Sequence, residues 1–465
     1  MGGLFREFTG PYIFMTVAFL LYFFYAMTSG WRAFLGWIIF LSVQLPIDSE
    51  TIRPAISDIF IPFMILTWML ANTEKINSED VAPESIATSR LLPWVLLFAA
   101  LFLVVGNTLA FINIGYLPSW TLVNKDIGLV TLITVFGLST YYINDKSRLL
   151  TAVRYFIYTG FATNLIAFVG GIARYVFGIS NSMMRDSASI RLVGFNINPG
   201  SYGGWLIPIV LIQFSVLISK SPILKMPRWL QWFALIVGAL NLVMTLSRSS
   251  YLGAVASMIA VMLLSKKGSL RNIIVMSLLV LLSMSYMFKH SEKDNVNEQF
   301  QNLAVDTRTA EARVDINKAA IQLFLESPLN IPFGVGIGTF LIRAGELLGS
   351  QSQIHNTFLW ILVEMGCVGF FVMLTMFYRA YVDCRSTIRT EWFGQPLAIA
   401  VMASLIGTFA WFMGNEGLWH RHVWFILILA DAIYRIHSQE SAYLQQVARE
   451  QAPVQFLQER TFITQ

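Results

Sequence analysis

The sequence is a succession of apolar runs, each about as long as a bilayer is thick, separated by short polar turns. A spanning helix needs about 20 mostly apolar residues. Such segments lie at roughly 11–28, 31–46, 55–71, 91–112, 126–143, 151–175, 202–219, 229–246, 250–265, 271–288, 356–378, 395–414 and 418–436. Only 13% of residues are charged, whereas an ordinary soluble domain carries about 25%. A chain so poor in charge cannot solvate a globular surface, so soluble enzyme folds are excluded. The expected fold is an all-α polytopic membrane protein of about twelve transmembrane helices, with one large, partly helical loop before the last of them. Residues 1–288 form the first helical region, 289–355 the loop, 356–436 the C-terminal spans and 437–465 a polar tail. Within 11–46, Ser29-Gly30-Trp31-Arg32 splits one long run, which reads either as a tight hairpin or as a single broken helix. The N-terminus leads straight into the spans and is expected to be retained as an anchor rather than cleaved.

Short cytoplasmic loops keep Lys and Arg while translocated ones shed them. One alternating set of loops holds thirteen basic residues, among them Lys75, Lys146, Arg148, Lys220 and Arg379. The other holds six: Arg53, Lys125, Arg185, Arg191, Arg248 and Arg421. The first set is assigned to the cytoplasm, so 289–355 and the turns near residues 191 and 248 face outward. The net charge of +5 is too small and scattered for nucleic-acid binding. Two cysteines, Cys367 and Cys384, supply neither a disulfide framework nor a zinc site.

Within the outer segment, Thr309 to Glu326 reads as a helix. Val314, Ile321 and Leu325 recur at helical spacing, Glu311, Asp315, Lys318 and Gln322 are available for a wet face, and Ser327-Pro328 stops it. The stretch Phe333-Gly334-Val-Gly336-Ile-Gly338-Thr-Phe340 lacks the Gly-Lys-Ser/Thr ending of a nucleotide loop. Its glycines instead allow close backbone packing, bringing the loop back over the membrane mouth ahead of His355.

Charges retained on the depleted side of a membrane need a reason. Arg191 precedes the turn-rich Asn198-Pro199-Gly200, Arg248 sits in the short turn Thr245-Leu-Ser-Arg-Ser, and His355 stands where the long loop re-enters the membrane. An arginine at a helix end can simply snorkel to headgroups, and a lone interfacial histidine is more often a hydrogen-bonding group than a catalyst. As a set, however, two guanidinium forks match a pyrophosphate bidentately, and an imidazole can take a proton from a sugar hydroxyl near neutral pH. That chemistry is glycosyl transfer from a lipid pyrophosphate, and it requires no nucleotide. Arg313, on the loop helix, reads mainly as a solvated residue able to reach the same mouth. His420, Arg421 and His422 read as an interfacial belt with nearby tryptophans.

Four stretches, Arg191 to Gly200, Thr245 to Ser249, Pro328 to Phe340 and His355-Asn356 through Glu364-Met-Gly366 to Gly369, resemble the O-antigen ligase and O-antigen (exopolysaccharide) polymerase superfamily. The resemblance runs from about residue 185 to residue 375. It implies a multi-pass protein of the bacterial inner membrane, both termini cytoplasmic, with the large loop and active site facing the periplasm. The implied activity is a metal-independent, cofactor-free, inverting glycosyl transfer from an undecaprenyl-pyrophosphate-linked glycan donor to a glycan acceptor. Arg191 and Arg248 would bind the donor pyrophosphate and His355 would activate the acceptor hydroxyl, with Arg313, Asn198 and Asn356 in support. Partners would be membrane lipid, a chain-length regulator and a flippase. The expected function is polymerisation of lipid-linked repeat units into a surface polysaccharide. A ligase that transfers the glycan to lipid A core remains open, and so does a non-enzymatic flippase or exporter of the same lipids.

Overall fold

The computed structural model describes residues 10–43, 55–76, 88–179, 181–184, 191–196, 198–265, 307–349, 352–388 and 392–463. Among these residues the secondary structure is helical, with one isolated bridge, Met184–Leu192, and no longer strand. The protein is an all-α polytopic membrane protein. Seven helices are long and apolar enough to cross a bilayer, and shorter apolar helices accompany them. The span expected at 271–288 lies outside the described residues.

In chain order the helices are α1 (Gly10–Ala26), α2 (Gly30–Ile39), α3 (Ile61–Ile76), α4 (Leu92–Ile114), α5 (Ser119–Tyr142), α6 (Lys146–Phe177), α7 (Pro199–Ile218), α8 (Arg228–Met244) and α9 (Arg248–Leu264). The loop contributes α10 (Thr307–Leu325), α11 (Asn330–Phe333) and α12 (Thr339–Leu348). The bundle closes with α13 (Thr357–Ile388), α14 (Gln395–Phe412) and α15 (Arg421–Ile463). The tail expected as a polar appendage continues α15 through Ile463.

The run at 11–46 resolves into a helical hairpin. Gly30, at its turn, lies against Thr67 and Tyr142, and Arg148 stacks over Trp31, so the turn sits at the end of the bundle assigned to the cytoplasm. From there α1 extends toward the other end, and the N-terminal residues ahead of Gly10 lie outside the described residues. At ten residues, α2 rises only about 15 Å, half a hydrocarbon core.

Helix α7 is buried almost throughout and forms the centre of the bundle. Its small residues explain how: Gly203 abuts Ser250 of α9 and Gly204 abuts the Trp411 indole of α14. Gly253 and Gly407 let α9 and α14 approach to backbone contact, the small-residue packing that helices use where lipid removes the hydrophobic drive. Trp205, Trp411 and Trp424 fill the remaining volume.

Candidate active site

Arg248 opens α9 directly after the turn that ends α8. In that turn Leu246 adopts φ +49°, and the turn carbonyls that follow α8 need partners from outside the helix. Arg191 supplies them. Its Nε donates to the Thr245 carbonyl at 3.3 Å and its Nη2 to the Leu246 carbonyl at 3.2 Å, while the neighbouring Leu192 N–H donates to Met244 at 2.9 Å. Arg191 thus braces the turn that presents Arg248.

His355 stands just ahead of α13. Asn356 caps that helix, its Oδ1 accepting from the N–H groups of Phe358 (3.0 Å) and Leu359 (3.2 Å). Asn198 caps α7 in the same way through the Ser201 N–H at 2.7 Å. Both asparagines therefore support the site as helix caps. The turn between α14 and α15 ties these starts together: the Asn415 amide donates to Ser249 Oγ, its carbonyl accepts from Thr357 N–H (3.2 Å) and Oγ1 (2.6 Å), and its side chain lies against Gly200. The N-termini of α7, α9 and α13 consequently meet at one end of the bundle, and the summed helix dipoles there favour an anion.

Helix α10 lies over this end. A cleft of about 40 Å³ is lined by Arg313, Ile316, Asn317, His355, Asn356 and Met413. Arg248 is close enough to Arg313 to depress its pKa, second only to partial desolvation. His355 is held below the ordinary 6.5, first by desolvation among its neighbours and then by the Arg313 charge, with Glu416 pulling the other way. The structure therefore brings Arg313 and His355 into one cleft, with Arg248 outside its lining but within electrostatic reach of Arg313 and Arg191 bracing the Arg248 turn. Arg313, expected mainly as a solvated residue, lines the cleft itself. Among the described residues no group of three His, Cys, Asp or Glu side chains could hold a metal ion.

Beneath the mouth lies a charge network that a reading of the chain does not reveal. Lys125, expected on an outer loop, is 5% exposed and pairs with Glu416 at 3.1 Å and Glu364 at 3.7 Å. Its ammonium sits 4.3 Å from the centre of the Trp360 ring, whose Nε1 donates to Glu364 at 2.6 Å. Trp419 donates to Glu416 at 3.0 Å. Of the expected belt at 420–422, His422 is buried and His420 and Arg421 are partly so. His422 is buried between Trp205 and Trp411, His420 meets Ser201 Oγ at 3.3 Å, and Arg421 forms a bidentate pair with Asp58. Only the helical pattern around these residues was visible in the sequence; their partners come from distant segments.

The glycine-rich segment 333–340 enters the bundle rather than covering it. Val335 and Gly336 donate to the carbonyls of Val363 (2.9 Å) and Glu364 (3.1 Å), and Ile337 donates to Gly106 (3.1 Å). Those carbonyls are free because α13 breaks at Gly366, with φ +67°, and α4 widens into a π turn at Leu101–Gly106. Asn113 completes the set by donating to the Val335 carbonyl at 2.7 Å. Irregular backbone is tolerated at membrane depth only where protein satisfies it in this way. Gly334 and Gly336 both have positive φ, and a Cβ on either would meet the backbone of Glu364 or Ala110.

A search of curated proteins finds no match to this chain. Residues 233–374, which carry Arg248, Arg313, His355, the glycine-rich segment and the Gly366 break but not Arg191, match the family model described as O-antigen ligase. Over that stretch the chain is similar to the O-antigen ligase family.

Proposed function

We propose that this membrane protein polymerises undecaprenyl-pyrophosphate-linked oligosaccharides at the periplasmic face of the bacterial inner membrane. The family match supports a role in glycan assembly on lipid-linked substrates. The observation that carries the finer reading is the cleft lined by Arg313 and His355, with Arg248 in electrostatic reach of Arg313, at the joined helix N-termini. Holding two guanidinium groups close together is electrostatically unfavourable by itself, and a pyrophosphate offsets that repulsion.

In this mechanism Arg248 and Arg313 grip the donor pyrophosphate, a revision that moves Arg191 to bracing the Arg248 turn. The acceptor hydroxyl attacks the anomeric carbon from the face opposite the pyrophosphate. The new bond joins acceptor oxygen to anomeric carbon, the anomeric carbon–oxygen bond breaks, and the undecaprenyl pyrophosphate leaves with the electron pair. His355 takes the hydroxyl proton. The two arginines stabilise the charge that develops on the leaving group, a task otherwise suited to a metal ion, and a single displacement inverts the anomeric centre.

The Lys125 network favours an enzyme over a flippase. Its charges are paired with one another and packed by Trp360 and Trp419, which closes the floor of the site, whereas a transport path needs charges lining an open route. The reading is tested with purified protein in lipid nanodiscs and a synthetic undecaprenyl-pyrophosphate repeat unit as the only substrate. A ladder of longer lipid-linked glycans supports polymerisation. Product that forms only after lipid A core is added assigns a ligase.

A further inference from the structure

The apolar residues that mark α10 in the sequence are not the ones it buries. Ile316, Ala319, Ala320 and Leu323 pack toward the bundle, whereas Val314, Ile321 and Leu325 lie along the opposite edge, with Leu325 62% exposed. The open edge continues past the helix into Leu329, 70% exposed, and Ile331. Lys318, its side chain 75% exposed, shares that stripe between Val314 and Ile321, so only the C-terminal half of the edge is apolar, and an apolar edge opposite a packed face implies an apolar surrounding there.

Two spans give the depth of that edge. Pro332 and Phe333, at the end of α11, abut Gly366, which lies about nine residues into α13 and therefore roughly 13 Å below its outer end. Gly336 abuts Leu109 and Ala110 of α4, and Ile337 bonds to Gly106, about 12 Å below the outer end of that helix at Ile114. Both marks fall within a hydrocarbon core about 30 Å thick. The charged groups nearest this part of the loop are paired with one another: Arg343 meets Glu326 at 3.4 Å and Glu346 at 2.8 Å.

We infer that the C-terminal half of α10 together with α11 is a re-entrant, membrane-dipping element whose edge of Ile321, Leu325, Leu329 and Ile331 is covered by acyl chains of the outer leaflet. The loop is therefore seated in the membrane rather than suspended in water. The seat fixes the height of the other flank of α10, where Arg313 and Asn317 line the cleft. A phosphate group borne by a lipid then meets Arg313 at the leaflet surface without leaving the bilayer. The inference rests on the fold and is independent of the reaction proposed above.

The test uses nitroxide labels on single cysteines replacing Leu325, Leu329 or, as a wet reference, Lys318, in a chain with Cys367→Ser and Cys384→Ser. The protein is reconstituted in phosphatidylethanolamine–phosphatidylglycerol vesicles, and collision with oxygen is compared with collision with a water-soluble nickel chelate. The expected result is oxygen-dominated collision at 325 and 329 and nickel-dominated collision at 318. Nickel access at 325 and 329 equal to that at 318 would overturn the inference by placing the edge in water. Protection from both reagents would also overturn it, by showing that protein covers the edge. Fluorescence quenching by chain-brominated lipids of a bimane at 329 gives a second reading, in which absence of quenching contradicts the proposal.

Discussion

Arg191 holds the carbonyl of Leu246 at 3.2 Å through Nη2, two residues before Arg248, whose charge is felt by Arg313 in the cleft. One guanidinium thereby sets the position of another. Hydrogen bonds from a charged donor contribute about 1.5–3 kcal/mol each, and partial exposure reduces the pair to about 2 kcal/mol. Arg191→Ala is therefore expected to lower the Tm measurably as well as the activity. Arg248→Ala is expected to abolish activity, and Arg248→Lys to lose most of it, because an ammonium cannot reproduce a bidentate fork. Thermal unfolding in detergent beside turnover in nanodiscs checks both residues; an unchanged Tm for Arg191→Ala, or full activity for Arg248→Lys, would contradict these roles.

The environment of His355 gives a pH prediction. Desolvation and the charge of Arg313 lower its pKa below 6.5, against an opposing pull from Glu416. A lowered value favours the neutral imidazole, the form that accepts a proton, so turnover is expected to hold across neutral pH and fall only on the acid side of 6.5. Arg313→Gln removes a neighbouring cation, which raises the imidazole pKa and moves the acid limb to higher pH. The rate–pH profile of both proteins checks the direction, and a limb that moves down would contradict it.

The glycine-rich segment separates conformational strain from steric exclusion. Gly336 and Gly349 both have positive φ, but a Cβ at 336 would strike the backbone of Ala110 whereas one at 349 meets open space. Gly349→Ala is expected to cost about 1–2 kcal/mol, the penalty of a left-handed backbone. Gly336→Ala additionally forces the segment away from its partner carbonyls, each several kcal/mol to leave unsatisfied at membrane depth, and is expected to prevent accumulation of folded protein. Size-exclusion profiles of fluorescent fusions distinguish the two.

Lys125 neutralises part of a buried pair of carboxylates. Lys125→Met is expected to destabilise the protein by about 3–5 kcal/mol by leaving uncompensated charge. Adding Glu364→Gln should recover part of that loss, which a double-mutant comparison of Tm would show. No recovery would mean that the lysine stabilises through packing alone.

The spans were legible because each needs only a local count of apolar residues, and the Ser327-Pro328 stop marked the end of α10 within a residue or two. Arg248 and His355 stood out in the sequence because an ionisable residue in a short turn between apolar runs is conspicuous, and the structure puts each just at the start of a helix that reaches the same end of the bundle. The bracing role of Arg191 was hidden because its partners are backbone carbonyls, which leave no trace in residue identity. Lys125 resembled a loop residue because Glu364 and Glu416 lie more than two hundred residues away in the chain. The apolar spacing of Val314, Ile321 and Leu325 identified the helix correctly, but periodicity cannot say whether such an edge meets protein or lipid. The glycines at 334, 336 and 338 signalled close packing, yet their docking site exists only because α4 and α13 are opened at Gly106 and Gly366.

Proton transfer to His355 during sugar transfer is the centre of the account, and the most direct measurement is turnover of purified His355→Ala in nanodiscs with the lipid-linked repeat unit. The expected result is a folded protein that still binds the donor but extends no chain, while the unaltered protein builds a ladder. A ladder of normal length from His355→Ala would contradict the account.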